Sequence, residues 1–201
     1  MLLRHSHTSP YVRKVMVMLH EIGLADRVNA ETVDGWAEPD YLTAENPLSM
    51  VPTLVTEEGV TLYDSPVICE YLDYQHTGTK MIPAEGESRW QVLREQALPD
   101  GVLDSAILIF METMKRPEEK RWDWWIDLKR RAISRTLDLF ENNIHEVTGR
   151  IDLGTLSLAV ALGYLDLRGA VGKWRDTRPA LSEWYAGMEQ RPSMLATVPP
   201  A

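Results

Sequence analysis

Cysteine is almost missing from this chain: Cys69 is the only one in 201 residues. A lone thiol excludes an intramolecular disulfide and any two-cysteine redox centre, and it fits a reducing compartment. Long apolar runs are missing too, and none approaches the roughly 18 residues of a membrane span. The first residues lack the charged-then-apolar pattern of a secretory leader, so a cytoplasmic protein without a membrane partner is expected. Positive charge is scarce, with 21 Lys and Arg against 30 Asp and Glu and a formal net charge of -9. That balance argues against nucleic acid as a partner, because a surface that tracks phosphates needs clustered Lys and Arg. His5 and His7 stand two apart, but no third ligand follows at a convincing spacing, so no metal is expected. Repeats and low-complexity tracts are absent.

What is present reads as a globular protein: 44% hydrophobic and 25% charged residues, enough chain for one large or two small domains. Leu2 and Leu3 begin a short strand. From Tyr11 to Ile22 the apolar residues Val12, Val15, Met16 and Leu19 recur at a helical period, and Gly23 stops the run. A second strand is expected over Arg27 to Val33 and a short helix or turn over Pro39 to Ala44. The runs 51–56 and 60–62 flank Glu57-Glu58-Gly59, a hairpin pattern. Asp64-Ser65-Pro66 then opens a helix, with Pro66 suited to its first turn. The order is βαβ followed by ββα.

Thr77 to Glu87 is polar and turn-rich and reads as a linker. Beyond it the pattern is helical throughout. Trp90, Leu93, Ala97, Val102, Ala106 and Ile109 suggest one long helix, with a bend expected near Pro99. Trp122, Trp125, Ile126, Ile133, Leu137 and Phe140 mark a second, with Trp122 and Trp125 expected toward the core. Leu156 to Leu167 is nearly uncharged and predicts a buried central helix, and Ala180 to Gln190 a last one. The expected domains are therefore 1–78, a linker at 79–87, and 88–201.

The densest signal is Ser9-Pro10-Tyr11-Val12, directly after the first strand. A strand, a polar turn and a Pro at the first helical turn form the place where a thioredoxin-like fold sets its reactive group. Redox members carry C-x-x-C there. Ser9 and Val12 stand at those two positions, so disulfide chemistry at this turn is excluded and a hydroxyl remains. Ser before Pro is also an ordinary helix N-cap.

The order of domains, together with three motifs in register, resembles the cytosolic glutathione transferase family over essentially the whole chain. The motifs are Ser9 to Val15, similar to the serine-type active-site segment; Met50-Val51-Pro52-Thr53-Leu54, where the family has a cis-proline before a strand; and Tyr63 to Leu72, similar to the E/D-S-x-x-I-x-x-Y-L signature. Asp152-Leu153-Gly154-Thr155 stands where the family has a local S/T-x-x-D capping box, with the two residue types exchanged. Asp152 remains a good N-cap.

The resemblance implies a thioredoxin-like α/β domain followed by an all-α domain. It implies an enzyme that uses glutathione as co-substrate, needs no other cofactor, and transfers the glutathione sulfur to a small hydrophobic electrophile in detoxification. Ser9, or its neighbour Thr8, would activate the thiol. Met50, Val51, Pro52, Asp64 and Ser65 would bind glutathione: Val51 by its backbone, Ser65 at the γ-glutamyl carboxylate, Asp64 at the γ-glutamyl ammonium. Tyr11, Leu108 and Met111 would line the electrophile pocket. A homodimer is implied as well. The same thiolate could serve a peroxidase, an isomerase or a dehalogenase, and a different class of function is a non-catalytic interaction module on the same fold. An ordinary thiol has a pKa of about 8.5. Lowering it by about two units needs roughly 2.7 kcal/mol, within reach of a charge-assisted hydrogen bond plus a helix N-terminus.

Overall fold

The structure is a computed structural model and describes residues 1–37 and 39–200. It divides into two compact units, Met1–Gly86 together with Pro192–Ala201, and Glu87–Arg191.

The first unit is built on four strands, β1 (Leu2–His5), β2 (Asn29–Thr32), β3 (Thr53–Val55) and β4 (Thr61–Leu62), in the order β2-β1-β3-β4. β1 and β2 are parallel, with Leu3 opposite Ala30, which requires the crossover helix α1 (Pro10–Glu21). β3 runs antiparallel to β1, with Leu3 opposite Leu54 and Arg4 opposite Thr53. β4 returns antiparallel to β3, with Leu54 opposite Leu62, through a turn in which Gly59 takes φ +79°. Leu3 and Leu54 are fully buried on the central strands, and Val15, Met18 and Leu19 of α1 join Ile68, Cys69 and Leu72 of α3 (Ser65–Tyr74) in the core. The short helix α2 (Asp40–Glu45) lies between β2 and β3 in the chain. β2 is shorter than the expected 27–33 and every one of its residues is exposed. As an edge strand it pairs on one side only, so its polar sequence, Asn-Ala-Glu-Thr, costs nothing in the core. Arg4 of β1 holds it in place by pairing with Glu31 while making a two-pronged bond to Glu45 of α2, Nε to Oε2 at 2.8 Å and Nη2 to Oε1 at 2.6 Å.

The expected linker is not loose. Met81 and Ile82 are buried, and Asp73 at the end of α3 accepts their backbone N–H groups at 2.8 and 3.1 Å. The terminal segment groups with this unit, so the helical domain ends at Arg191 and not at the expected 201. The short helix α8 (Pro192–Leu195) packs on α1, with Arg13 donating to the Met194 carbonyl at 3.3 Å.

The second unit contains α4 (Glu87–Phe110), α5 (Asp123–Asn142), α6 (Leu153–Arg168) and α7 (Pro179–Glu189). Pro99 sits inside α4, which runs unbroken through it, although the ring removes one helical hydrogen bond. A π-helical turn, Met111–Lys115, continues α4. α6 is the central element: residues 153–162, Tyr164 and Leu165 are all buried, which explains its almost chargeless sequence. Gly154 is required where α6 meets α4, because a Cβ there would lie 2.8 Å from Glu95 Cβ. The capping box forms despite the exchanged letters: Asp152 Oδ1 accepts the Thr155 N–H at 3.0 Å, and Thr155 Oγ1 accepts the Asp152 N–H at 3.0 Å. Arg150 then joins Asp152 Oδ2 at 2.7 Å to the buried Glu95 Oε2 at 2.9 Å. Burial works against the Arg150 charge, and the two carboxylates outweigh it, leaving the guanidinium above its ordinary range.

One expectation on the tryptophans fails. Trp122 is 58% exposed, and Ile126 takes the core position. Trp122 is the residue before the first turn of α5, so the helical period does not reach it. Its ring stacks on Trp124 at 5.0 Å and Trp125 at 6.0 Å instead. Trp90 on α4 is likewise exposed, and Val92 and Gln96 face inward. Among the described residues no helix is long and apolar enough to cross a membrane.

Candidate functional site

Sheet register brings the three sequence motifs to one end of the first unit. Arg4, near the end of β1, lies opposite Thr53, at the start of β3, and Leu62, the last residue of β4, lies opposite Leu54. The chain therefore leaves β1 toward Ser9, enters β3 from Val51-Pro52 and leaves β4 toward Asp64-Ser65 at the same edge. α1 and α3 both begin there.

Ser9 is the N-cap of α1, with extended backbone (φ -77°, ψ 120°) and Pro10 as the first helical residue. Its Oγ accepts the Val12 N–H at 3.3 Å, and its own N–H closes the turn by donating to the Ser6 carbonyl at 3.2 Å. Capping of this kind occupies a lone pair on Oγ. The hydroxyl proton is a separate resource and can be donated to an anion at the helix N-terminus. The cap and a thiol-activating role are thus compatible in one residue. Thr8 is exposed one residue earlier, outside the cap. Tyr11, in the first turn, is half-buried.

The Val51–Pro52 bond is cis, as the resemblance implies, and Pro52 is buried. Sequence reading passed over the residue that fixes this loop. Asn46, 1% exposed, donates from Nδ2 to the Met50 carbonyl at 3.1 Å and to Thr53 Oγ1 at 3.0 Å, while its Oδ1 accepts the Leu48 N–H at 3.0 Å. Thr53 Oγ1 also donates to the Met50 carbonyl at 2.8 Å. An asparagine uses donor and acceptor together here, which a polar letter between α2 and β3 could not announce. Met50 itself is exposed and offers no polar side-chain contact.

Asp64 is the N-cap of α3, but its side chain makes no capping bond and is exposed. Ser65 behaves oppositely. It is 1% exposed, and its Oγ has no hydrogen-bond partner among the described residues. A buried hydroxyl left unsatisfied costs about 1–3 kcal/mol, and this one lies at a helix N-terminus, where a bound anion would satisfy it.

His5 and His7 meet edge to face at 4.8 Å, and Thr32 Oγ1 lies 3.1 and 3.3 Å from their Nε2 atoms. Burial, with a smaller contribution from His7, holds the His5 imidazole below its ordinary value. Among the described residues no group of three or more His, Cys, Asp or Glu side chains could hold a metal.

A family model described as the glutathione S-transferase N-terminal domain matches residues 8–75. An uncharacterized GST-like protein, YibF, of Escherichia coli K12 is 32% identical over 198 residues, 97% of this chain and 96% of that one. A solved glutathione transferase family member from Pseudomonas fluorescens Pf-5, with bound glutathione, is 44% identical, superposes with a TM-score of 0.96 and covers 100% of this chain and 99% of that one. The chain belongs to the glutathione transferase family. A solved family member from Methylobacillus flagellatus, also with glutathione bound, is 32% identical with a TM-score of 0.87 and 99% coverage of both chains.

In this family member the segments matched by the N-terminal model include all three motifs gathered at the sheet edge. The remaining sequence candidates belong to the helical unit and are placed there by themselves. Leu108 is 38% exposed on α4, and Met111 is half-buried at the start of the π-helical turn. Two clefts open in that unit, and neither residue lines them.

Proposed function

We propose that this chain binds glutathione at the edge of its first unit and ionises the thiol for attack on a small hydrophobic electrophile. The observation that carries the reading is the convergence of Ser9, the cis Val51–Pro52 turn and the buried, unpartnered Ser65 hydroxyl at one sheet edge, with two helix N-termini beside them. The γ-glutamyl carboxylate of glutathione is held by Ser65 Oγ and the α3 N-terminus, its ammonium by Asp64, and its cysteinyl backbone by the main chain of Val51, in the manner of an added strand. The sulfur then lies over the start of α1. Ser9 Oγ accepts the Val12 N–H and donates a hydrogen bond to the thiolate, whose own proton leaves to solvent.

Transfer is favoured over disulfide exchange because no cysteine stands at position 9. A second solved form of the Pseudomonas fluorescens family member, 44% identical, carries S-(propanoic acid)-glutathione, whose name describes a carbon substituent on glutathione sulfur. That is the bond a transferase makes. Glutathione is consumed as co-substrate and no other cofactor takes part. The protein acts as a homodimer in the cytoplasm, where its single buried thiol stays reduced.

The test is turnover of a generic aryl halide with glutathione. Loss of one hydrogen bond to a charged group removes about 1.5–3 kcal/mol, or roughly 10- to 150-fold in rate. Ser9→Ala is expected to lose that much in kcat with little change in glutathione affinity, while Thr8→Ala stays near wild type. The reverse pattern moves the activating hydroxyl to Thr8, and no effect in either variant removes hydroxyl activation altogether.

A further inference from the structure

The stretch of chain that meets the far end of the thiol carries no positive charge. Between Arg27 and His76 there is no lysine, arginine or histidine, while ten aspartates and glutamates stand there. That stretch holds α2, the cis-proline loop, β3, β4 and α3. Its place in the proposed complex follows from the sheet. Ser65 follows β4, and β4 pairs with β3. A ligand with its γ-glutamyl end at Ser65 and its cysteinyl backbone along Val51 therefore points its glycyl end the other way. In an added antiparallel strand that end comes beside Met50 and Ser49. The glycyl carboxylate is the one charge of glutathione left without a partner in the proposed complex.

The loop at that point is uncharged and reaches the surface. Leu48 and Met50 are 61% and 63% exposed, and neither side chain can pair with an anion. Arg4, set beside Glu45 just before the loop, is already held by Glu31 and Glu45. Ser49 is the second observation. It takes φ +50°, a left-handed backbone that a side chain disfavours, and its N–H donates to the Asn46 carbonyl at 2.8 Å. The residue is 9% exposed, and its buried Oγ has no hydrogen-bond partner among the described residues. Glycine would remove both costs, yet serine stands there, which points to a use for the hydroxyl. A hydroxyl donates to a neutral carbonyl or to a carboxylate, whereas a site that reads a carboxylate by its charge uses lysine or arginine.

Given the glutathione site proposed above, on which this depends, we infer that its preferred thiol is a glutathione amide, with the glycyl carboxyl joined to an amine and therefore uncharged. Ser49 Oγ donates to the glycyl carbonyl oxygen, which the acid and the amide share. The amine substituent runs out over Leu48 and Met50. Free glutathione also fits, but its second carboxylate enters an acidic stretch with no cation to receive it and gains nothing by its charge.

The test is calorimetric, on the full chain, with three thiols: glutathione, glutathione glycyl amide, and γ-glutamylcysteine, which lacks the glycine. Wild type is expected to bind the amide at least as tightly as glutathione. Met50→Lys, at an exposed position, is expected to tighten glutathione roughly two- to fivefold, the range of an exposed ion pair, and to leave the amide unchanged. Ser49→Gly suits the left-handed backbone and removes the hydroxyl. It is expected to weaken glutathione and its amide alike, roughly 2- to 12-fold, with γ-glutamylcysteine unmoved. The proposal is overturned by an amide that binds wild type tenfold or more weakly than glutathione, by a Met50→Lys variant that tightens both, or by a Ser49→Gly variant that weakens γ-glutamylcysteine equally. Each of those results leaves the glutathione site standing. If none of the three thiols binds wild type, the glutathione site itself falls, and the preferred form of its ligand with it.

Discussion

Replacing Ser65 by alanine should raise the stability of the free protein and lower its affinity for glutathione, two effects of opposite sign from one oxygen atom. In the folded chain the Ser65 hydroxyl is 1% exposed and unpartnered among the described residues. Leaving such a group buried costs about 1–3 kcal/mol, and its removal recovers part of that. A gain of about 1 kcal/mol corresponds to a rise of about 2–4 °C in melting temperature for a chain of this size. In the proposed glutathione complex the same hydroxyl donates to a carboxylate, a bond worth about 1.5–3 kcal/mol, so on that reading the Kd should rise roughly 10- to 150-fold. The α3 N-terminus remains and preserves some binding. The assay is a pair of thermal melts, with and without glutathione, on Ser65→Ala and wild type. The variant should melt higher alone and gain less from the ligand. A variant that melts lower alone and is stabilised by glutathione as much as wild type would refute the reasoning, since Ser65 would then be an ordinary helix-start residue.

Asp152→Ala should destabilise the protein by about 0.5–2 kcal/mol for the lost N-cap and further through the weakened Arg150 bridge, while Asp152→Asn keeps the cap and should lose less; equal melting temperatures for the two would separate the cap from α6 stability. The His5 imidazole is disfavoured as a cation by burial and by His7, so the folded state binds its proton more weakly than the unfolded chain does. The linked stability is complete above the unfolded value near 6.5 and is lost as the pH falls through the lower folded value. Proton magnetic resonance should find His5 titrating below 6.5 and moving part of the way back in His7→Gln, and titration at or above 6.5 in wild type would contradict the burial argument.

Local chemistry made features of both units legible. Ser9-Pro10 caps a helix, Gly59 turns a hairpin and Asp152-Thr155 closes a capping box, because each depends on residues a few positions apart. The buried α6 was equally plain, since sixteen residues with so little charge leave no face for water. What stayed hidden depends on partners distant in the chain. β2 is polar because it is an edge, and only pairing with β1 defines it. Asn46 matters through Met50 and Thr53, and its role appears once the loop is folded. Trp122 broke the helical pattern because the pattern starts one residue after it. The Arg168–Phe110 contact joins residues far apart in sequence, each of which reads as ordinary surface or core on its own.

The measurement that bears most directly on thiol activation is a calorimetric titration with reduced glutathione near neutral pH, run in two buffers of different ionisation enthalpy so that protons are counted, and repeated with S-methylglutathione. Saturable binding of both ligands is expected, with about 0.7 proton released per site for the thiol, from a shift of about two units below 8.5, and none for the S-methyl form. Binding of the two with the same proton count, or no binding at millimolar glutathione, would contradict it.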